Sequence, residues 1–394
     1  MKTKLFYLIA VIAFFFTACT PEENENVQAG STLIINSSSE IPTGDWVDRG
    51  VDIDYHVKIN VNFSGGKVVN VEPGVTIEFE GTSAGFTISG SSVLKMIGTA
   101  TKPIILKGQN AVKGNWKGIV LESADPNNIW EYVTISDAGS SKASIYMNGS
   151  ALKPTLNNCS IQNSGGYGIY LNNNNIEFLA FNSNSVANCT NAPMYLYPQS
   201  IFSLGINNTF KNNTYAYIQV SNNTLTTPTV WNKMDVPYRV GEIISKSKLE
   251  IKPGVVIEIN PEGAFYIGDQ VVEGVNGILV ANGTANEPII FKGTTDNVKG
   301  LWTGIVLNTP NVENSLNYCQ IIGAGSSNGS CGNYKAALKI GRGKYCTDIK
   351  SRGSYQNITI QNSGGYGVAY RISDAPTVNG FQYANNTLAN VFNF

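Results

Sequence analysis

The chain has 394 residues, of which 42% are apolar, and this is enough to bury a substantial core. Its 27 basic and 28 acidic side chains almost cancel, so no basic surplus could neutralise a phosphate backbone and we expect no nucleic-acid partner. The single histidine, His56, argues against histidine acid–base chemistry and His-rich zinc sites. The 40 glycines, with abundant asparagine, favour short strands joined by tight turns.

Residues 1–18 have the pattern of a secretion signal, because two lysines precede an apolar run that is too short to span a bilayer. The sequence FTAC at 16–19 resembles a bacterial lipobox and predicts a lipid on Cys19; the alternative is an ordinary signal in which Cys19 is incidental. Residues 19–40 are polar and predict a flexible tether. We therefore expect an outer-membrane lipoprotein, surface-exposed or facing the periplasm, that meets the membrane only through its lipid.

The body of the chain repeats itself in order along its length. Four segments of the first half return about 180 to 200 residues later, and the last pair is identical over the sequence IQNSGGYG. The pairs are 73–79 with 253–259, 98–108 with 283–293, 113–121 with 299–307, and 161–168 with 360–367. These repeated segments predict two tandem halves, at residues 41–228 and 229–394.

A shorter repeat of about 25 residues lies inside each half. Its units pair a short alternating strand with an asparagine-containing turn, so that Ile161, Val186 and Phe210 should face inward. The turn asparagines Asn163 and Asn188 should stack, each amide bonding its equivalent in the next unit. Without helical periodicity, this predicts an all-β parallel β-helix, a solenoid of about 14 coils.

The order of motifs resembles the right-handed parallel β-helix lipoproteins of Bacteroidetes, over nearly the whole mature chain. The matching motifs are the sequences PGVTIEF at 73–79, GTATKPI at 98–104, WKGIV at 116–120 and YVTI at 132–135, each with its counterpart in the second half. The resemblance implies a right-handed solenoid of two tandem copies. It implies no activity, because most members of that family have none assigned.

Five cysteines remain besides Cys19, in a compartment expected to be oxidising. Cys159 and Cys319 fall on inward strand positions and should be buried small hydrophobes, whereas Cys189 lies near a turn without an evident partner. Cys331 and Cys346 lie in the segment 325–353, which is longer than its counterpart in the first half. A disulfide between Cys331 and Cys346 would staple this insertion.

The same insertion is basic and aromatic, and it occurs in only one half, so we expect it to hold a specialised ligand site. Aromatic faces beside cations could bind an acidic sugar, and the alternative is a loop that only shields its neighbours. The candidate binding residues are Tyr334, Lys339, Arg342, Tyr345 and Arg352.

No catalytic constellation is recognisable, and no cofactor or metal is implied. The densest acidic cluster contains four aspartates, which could be a calcium site but more simply provide polar cover for the first coil. These are Asp45, Asp48, Asp52 and Asp54. Trp116 and Trp302 could stack on sugars if exposed, although packing over a coil edge is the simpler interpretation. The turn tyrosines Tyr167 and Tyr366 are better candidates for exposure.

Three functions remain open from the sequence. The first is a non-catalytic envelope lipoprotein whose extended face binds a polysaccharide or a cell-surface protein, since stacked repeats place similar side chains at regular spacing. The second is a polysaccharide lyase or hydrolase with an atypical site, and the third is a purely structural or adhesion protein. The oligomeric state is left open.

Overall fold

The computed structural model describes residues 30–268, 277–327, 334–342 and 348–394. It is all-β, with 45% of residues in strands and 3% in helices, and its long parallel sheets are consistent with a β-helix or solenoid. The class of fold predicted from the short repeats is therefore confirmed. Among the described residues, no helix is long and apolar enough to cross a membrane.

The strands are short, and they follow one another along the whole described chain. The first seventeen are β1 Leu33–Ile35, β2 Tyr55–Val57, β3 Asn60–Phe63, β4 Val68–Val71, β5 Thr76–Phe79, β6 Gly85–Ile88, β7 Val93–Ile97, β8 Ile104–Gly108, β9 Gly118–Leu121, β10 Ile129–Glu131, β11 Val133–Ser136, β12 Ala143–Met147, β13 Thr155–Asn157, β14 Ser160–Gln162, β15 Tyr167–Leu171, β16 Ala180–Asn182 and β17 Ser185–Ala187. The others are β18 Met194–Leu196, β19 Ile218–Val220, β20 Asn223–Leu225, β21 Thr229–Trp231, β22 Tyr238–Ser245, β23 Lys248–Ile251, β24 Val256–Ile267, β25 Ile278–Asn282, β26 Ile289–Gly293, β27 Gly304–Leu307, β28 Ser315–Ile322, β29 Ala336–Ile340, β30 Ser354–Gln361, β31 Tyr366–Tyr370, β32 Thr377–Asn379, β33 Gln382–Ala384 and β34 Val391–Asn393. Three short 3-10 helices interrupt them, at Ser38–Glu40, Pro198–Ser203 and Ile372–Asp374.

Strands of successive repeats pair in parallel and form three sheets. One sheet has the order β1-β2-β5-β8-β11-β14-β17, a second has the order β16-β13-β10-β7-β4, and the third joins the remaining strands of both halves. In the first sheet a single column of paired, buried residues runs from repeat to repeat. Its members are Tyr55, Ile77, Leu106, Ile135, Ile161 and Val186.

The second half builds an equivalent column. Its members are Tyr238, Ile257, Phe291, Ile321, Ile360 and Tyr383. Ile77 and Ile257 occupy the same place in the repeated sequences, as do Leu106 and Phe291. The register of the sheets therefore follows the internal similarity of the sequence. Inward positions were predicted correctly, because Ile161, Val186 and Phe210 are fully buried.

Large aromatic residues fill the core at matching places in the two halves. Trp116 stacks on Phe79 with ring centroids 3.9 Å apart, and its indole N–H donates to the carbonyl oxygen of Ser136. Trp302 is buried like Trp116, and its indole N–H donates to the carbonyl oxygen of Ile322. Both tryptophans are therefore structural, and the alternative of stacking on sugars is wrong.

Asparagines shape the turns, although in two different ways. Asn163, Asn188 and Asn212 have φ of 57°, 56° and 61°, a left-handed conformation that asparagine tolerates better than most residues. Amide-to-amide bonds between repeats occur both at this turn position and elsewhere. In the second half, Nδ2 of Asn385 donates to Oδ1 of Asn362, the counterpart of Asn163, over 2.7 Å. In the first half, Nδ2 of Asn184 donates to Oδ1 of Asn208 over 3.2 Å, so there the ladder is displaced from Asn163 and Asn188.

The first strand, Leu33–Ile35, pairs in parallel with Tyr55–Val57, and Ile35 is fully buried. These residues lie within the segment 19–40 that the sequence analysis assigned to a flexible tether. That prediction is corrected for residues 33–35, because their apolar side chains complete the first sheet. Cys19 and residues 1–18 lie outside the described residues.

Candidate functional site

In the described part of the insertion 325–353, three of the candidate binding residues, Tyr334, Lys339 and Arg342, are buried. Cys331, Tyr345 and Cys346 lie outside the described residues, so their disulfide stays a prediction. Tyr334 is buried, and its ring packs on the rings of Phe392 and Phe394. Burial raises the pKa of Tyr334 to about 12.

The three basic side chains predicted to bind a ligand there are buried or half-buried in the protein. Lys339 on β29 is 2% exposed, its Nζ donates to the Ser327 carbonyl oxygen, and burial lowers its pKa to about 8. Arg342 is buried, whereas Arg352 is half-buried and its carbonyl oxygen accepts the Tyr355 hydroxyl. The structure brings Lys339 and Tyr334 together, with Nζ 5.5 Å from the ring centroid. Ligand binding by these residues stays a prediction, and their burial favours another face.

A column of tyrosines covers the outer face of the third sheet. Tyr146, Tyr170 and Tyr195 lie on strands β12, β15 and β18, each next to the last residue of its strand, and pair with one another in register. Their neighbours along each strand point inward and are fully buried, as alternation in a strand requires. The three tyrosines are therefore held outward, half-buried, by the same pattern that builds the core.

The register of the three paired strands sets how the rings of this column meet. Tyr170 and Tyr195 stack with centroids 4.3 Å apart and planes 4° from parallel, and Tyr146 meets Tyr170 edge-on at 5.8 Å. Tyr167 lies against both Tyr170 and Tyr195, and its hydroxyl donates to Oε1 of Gln219 over 2.8 Å. We name Tyr146, Tyr167, Tyr170 and Tyr195 the tyrosine face. The prediction that Tyr167 would be partly exposed is confirmed.

Burial raises the pKa of Tyr170, and the neighbouring Tyr195 hydroxyl raises it further. Burial likewise raises the pKa of Tyr167 and of Tyr146. These phenols therefore stay neutral near pH 7 and can both donate and accept hydrogen bonds.

One cation lies over a ring in the middle of the tyrosine face, and another lies over a ring beside it. The Nζ atom of Lys142 is 4.3 Å from the centroid of the Tyr170 ring. Beyond Tyr195, the paired positions in the next strands are Gln219 and then Arg239, whose Cζ atom is 3.6 Å from the centroid of the Tyr217 ring. Both distances lie within the range of cation–π attraction.

A groove of about 430 Å³ opens beside Arg239 and continues the tyrosine face. The residues lining it combine aromatic rings, amides, a hydroxyl and one guanidinium: Tyr195, Tyr217, Gln219, Val220, Ser221, Asn222, Arg239 and Asn260. Glu258 fixes the guanidinium, since Nε and Nη2 of Arg239 donate to its Oε2 over 3.1 and 2.6 Å. The groove is therefore lined mostly by polar groups beside two aromatic rings, a combination suited to hydrogen bonding with sugar hydroxyls.

The aspartates near the first repeat accept hydrogen bonds from backbone N–H groups. Asp54 is buried and accepts the backbone N–H groups of Arg49 and Thr76, and Asp45 accepts the backbone N–H of Asn70. In the part of the chain that the structure describes, no three His, Cys, Asp or Glu side chains are placed to hold a metal ion. The predicted role of the cluster in covering the first repeat accounts for these contacts.

The described cysteines are buried thiols, as predicted for Cys159 and Cys319. Cys189 is also fully buried. Burial raises the pKa of Cys159 and of Cys189 to about 12, so neither is a ready nucleophile at neutral pH.

Sequence reasoning missed the tyrosine face, although its signal was present. The repeat units contain the triplets Ile169-Tyr170-Leu171 and Met194-Tyr195-Leu196. The alternation that buries the first and last residue of each triplet turns the tyrosine between them outward. The contact of Arg239 with Tyr217 has no comparable signal, because it depends on how neighbouring repeats are offset.

No protein-family model, no curated protein and no solved structure matches this chain. The tyrosine face and its groove therefore carry the functional argument alone.

Proposed function

We propose that this protein binds a polysaccharide along the tyrosine face and the adjoining groove, without cleaving it. The observation that carries the proposal is the in-register stack of Tyr170 and Tyr195, half-buried on the outer face of a sheet and continued by the groove beside Arg239. Because the rings stack on one another, they present ring edges and neutral hydroxyl groups to a ligand, and the rigid sheet holds them in place at little entropic cost on binding.

A polymer suits this face better than a compact ligand. Tyr146, Tyr170, Tyr195 and Gln219 follow one another across four paired strands, so their spacing repeats at about 4.8 Å per strand. A glycan laid across the strands meets a ring or an amide at each step. Polar groups at the rim, such as Asn222 and Asn260, can exchange hydrogen bonds with sugar hydroxyls.

The proposal also covers the handedness, the number of coils and the division of the solenoid, which go beyond the parallel sheets themselves. We propose a right-handed parallel β-helix of about 14 coils, divided into tandem halves at 41–228 and 229–394, of the kind found in Bacteroidetes lipoproteins. Parallel pairing throughout the repeats and the matching columns of the two halves support this arrangement.

The proposed location follows from the amino-terminal sequence. A lipid on Cys19, after removal of residues 1–18, would anchor the chain to the outer membrane and place the tyrosine face at the cell envelope, toward the surface or the periplasm. A polysaccharide or a glycosylated cell-surface protein is then the partner within reach.

The test is binding of the full chain to an array of plant, bacterial and animal glycans, with reducing-sugar release measured in parallel. We expect binding without turnover, and loss of at least ten-fold in affinity in the Tyr170→Ala/Tyr195→Ala variant, since each stacked ring contributes about 1 kcal/mol or more. Tyr318→Ala is the control, because Tyr318 is an exposed tyrosine that lies outside the column.

Product release would support the enzyme alternative in place of this proposal. Absence of binding to every glycan would contradict the proposal and favour a structural or adhesion protein. An equal loss of affinity in the Tyr318→Ala control would show that removing tyrosine rings weakens binding by lowering the stability of the protein, and not by removing contacts of the tyrosine face.

A further inference from the structure

The two halves place a charged ladder at equivalent positions, but only one ladder adjoins the tyrosine face. In the first half His56 pairs in register with Glu78, which pairs with Lys107. In the second half Arg239 pairs with Glu258, which pairs with Lys292. The second ladder thus has a permanent guanidinium where the first has an imidazole, and that guanidinium lines the groove.

We infer that the polysaccharide bound here is acidic, and that Arg239 receives one of its carboxylates in the groove; this inference rests on the proposed function. Of the described residues that line the groove, Arg239 alone is charged. A carboxylate entering the groove would meet a guanidinium surrounded by amides and rings.

The guanidinium is already oriented for such a contact. Glu258 holds the edge that bears Nε and Nη2, and the ring of Tyr217 lies against the guanidinium at 3.6 Å. Within the described residues the Nη1 atom has no hydrogen-bond partner, so the second edge of the planar group remains available. Two N–H groups on one edge match the two oxygens of a carboxylate.

Glu258 does not cancel the positive charge alone, because it is shared. Its Oε1 atom is 3.5 Å from Nζ of Lys292, so two cations flank this one carboxylate. Lys292 is also 3.8 Å from Asp296, an exposed side chain. In the middle of the tyrosine face, Lys142 adds a further cation over the Tyr170 ring. Carboxylates along a polymer can therefore meet one cation in the groove and another on the tyrosine face.

The test uses matched pairs of glycans that differ only in charge: oligogalacturonate against its methyl ester, and hyaluronan oligosaccharides against their methyl esters. We expect the full chain to bind at least one acidic form about ten-fold more tightly than its ester, because a charge-assisted hydrogen bond is lost in the ester. The affinity for that acid should fall as salt is raised, while affinity for the ester should not.

In the Arg239→Gln variant the affinity for the acidic glycan should fall to about that for its ester, so the preference for the acid disappears. The Arg239→Gln/Glu258→Gln variant should behave the same way, which separates loss of the guanidinium from exposure of an unpaired Glu258. Lys107→Gln is the matched control, since Lys107 lies in the equivalent ladder of the first half and should keep the preference.

Equal affinity for acid and ester, or a preference that survives in the double variant, would overturn the inference while leaving the proposed function intact. The same holds if the array yields only neutral ligands. Failure of the proposed function is distinct, because then no glycan of any charge binds.

Discussion

Phe79 and Trp116 lie face to face in the core, with ring centroids 3.9 Å apart and ring planes 3° from parallel. Phe79 ends strand β5, whereas Trp116 precedes strand β9, so their contact joins different strands of neighbouring repeats. Both side chains are fully buried. The stack therefore connects successive repeats through side chains in addition to the hydrogen bonds of the sheets.

Replacing Trp116 with alanine should lower the free energy of unfolding by about 3–5 kcal/mol, because it leaves a cavity beside Phe79 and removes the bond to Ser136. Urea denaturation followed by circular dichroism measures this change. The neighbouring Val112→Ala variant is a control, since Val112 is 60% exposed and should change stability by less than about 0.5 kcal/mol. A loss below about 1 kcal/mol in Trp116→Ala would contradict the predicted role of the stack.

Asn184→Ala should destabilise the protein by about 1–3 kcal/mol, although the substitution is small. The buried Asn184 accepts the backbone N–H of Cys159 through Oδ1, and its Nδ2 donates to the carbonyl oxygen of Leu156. Both backbone groups would lose these bonds inside the core. Asn172→Ala is the control, because the Asn172 amide also bonds an asparagine of the neighbouring repeat but is exposed to solvent. Equal stability of the two variants in urea would refute a structural role for the buried amide.

The stability of the wild-type chain relative to Lys339→Met should rise between about pH 8 and pH 10.5. Burial lowers the pKa of Lys339 to about 8, so in this range the folded state has released a proton that the unfolded state still holds. Unfolding then takes up a proton, and raising the pH opposes it. Below pH 8 the wild-type chain pays about 3 kcal/mol to bury the charged amine.

Urea titrations of both chains at pH 7, 9 and 10.5 test this dependence. Lys142→Met controls for loss of a lysine charge at an exposed position. A difference between wild type and Lys339→Met that is constant with pH would show that the amine is solvated, and it would restore Lys339 as a candidate for direct ligand contact.

Much of the fold could be predicted from the sequence because its repeats carry the same pattern many times. Period-two alternation placed Ile161, Val186 and Phe210 inward, and each is fully buried. The asparagine ladder was predicted with the correct chemistry, and it forms at the predicted turn position in the second half, between Asn362 and Asn385, but at other positions in the first half. Asn163 and Asn188 are needed for left-handed turns, whereas the buried Asn184 and Asn208 make the amide bond between repeats.

The candidate site was harder to predict, because composition does not reveal which side chains are exposed. Lys339 belongs to a basic, aromatic segment, but strand β29 pairs with strands on both sides, and the lysine is buried. Tyr170 and Tyr195 each lie between two apolar residues, so the sequence pattern predicts that they face outward. Their stacking, however, depends on the register between repeats. The position of Arg239 over Tyr217 depends on the same register and on the Glu258 contact.

The parallel register also determines how the molecule should respond to mechanical load. Ile161 pairs with Ile135 on one side and with Val186 on the other, so each strand in the column is tied only to its two neighbours. Tension directed along the column therefore loads these ties in series, and the strands at an end yield before those in the middle. Under such a load the molecule should come apart gradually, strand by strand, and absorb work instead of failing all at once.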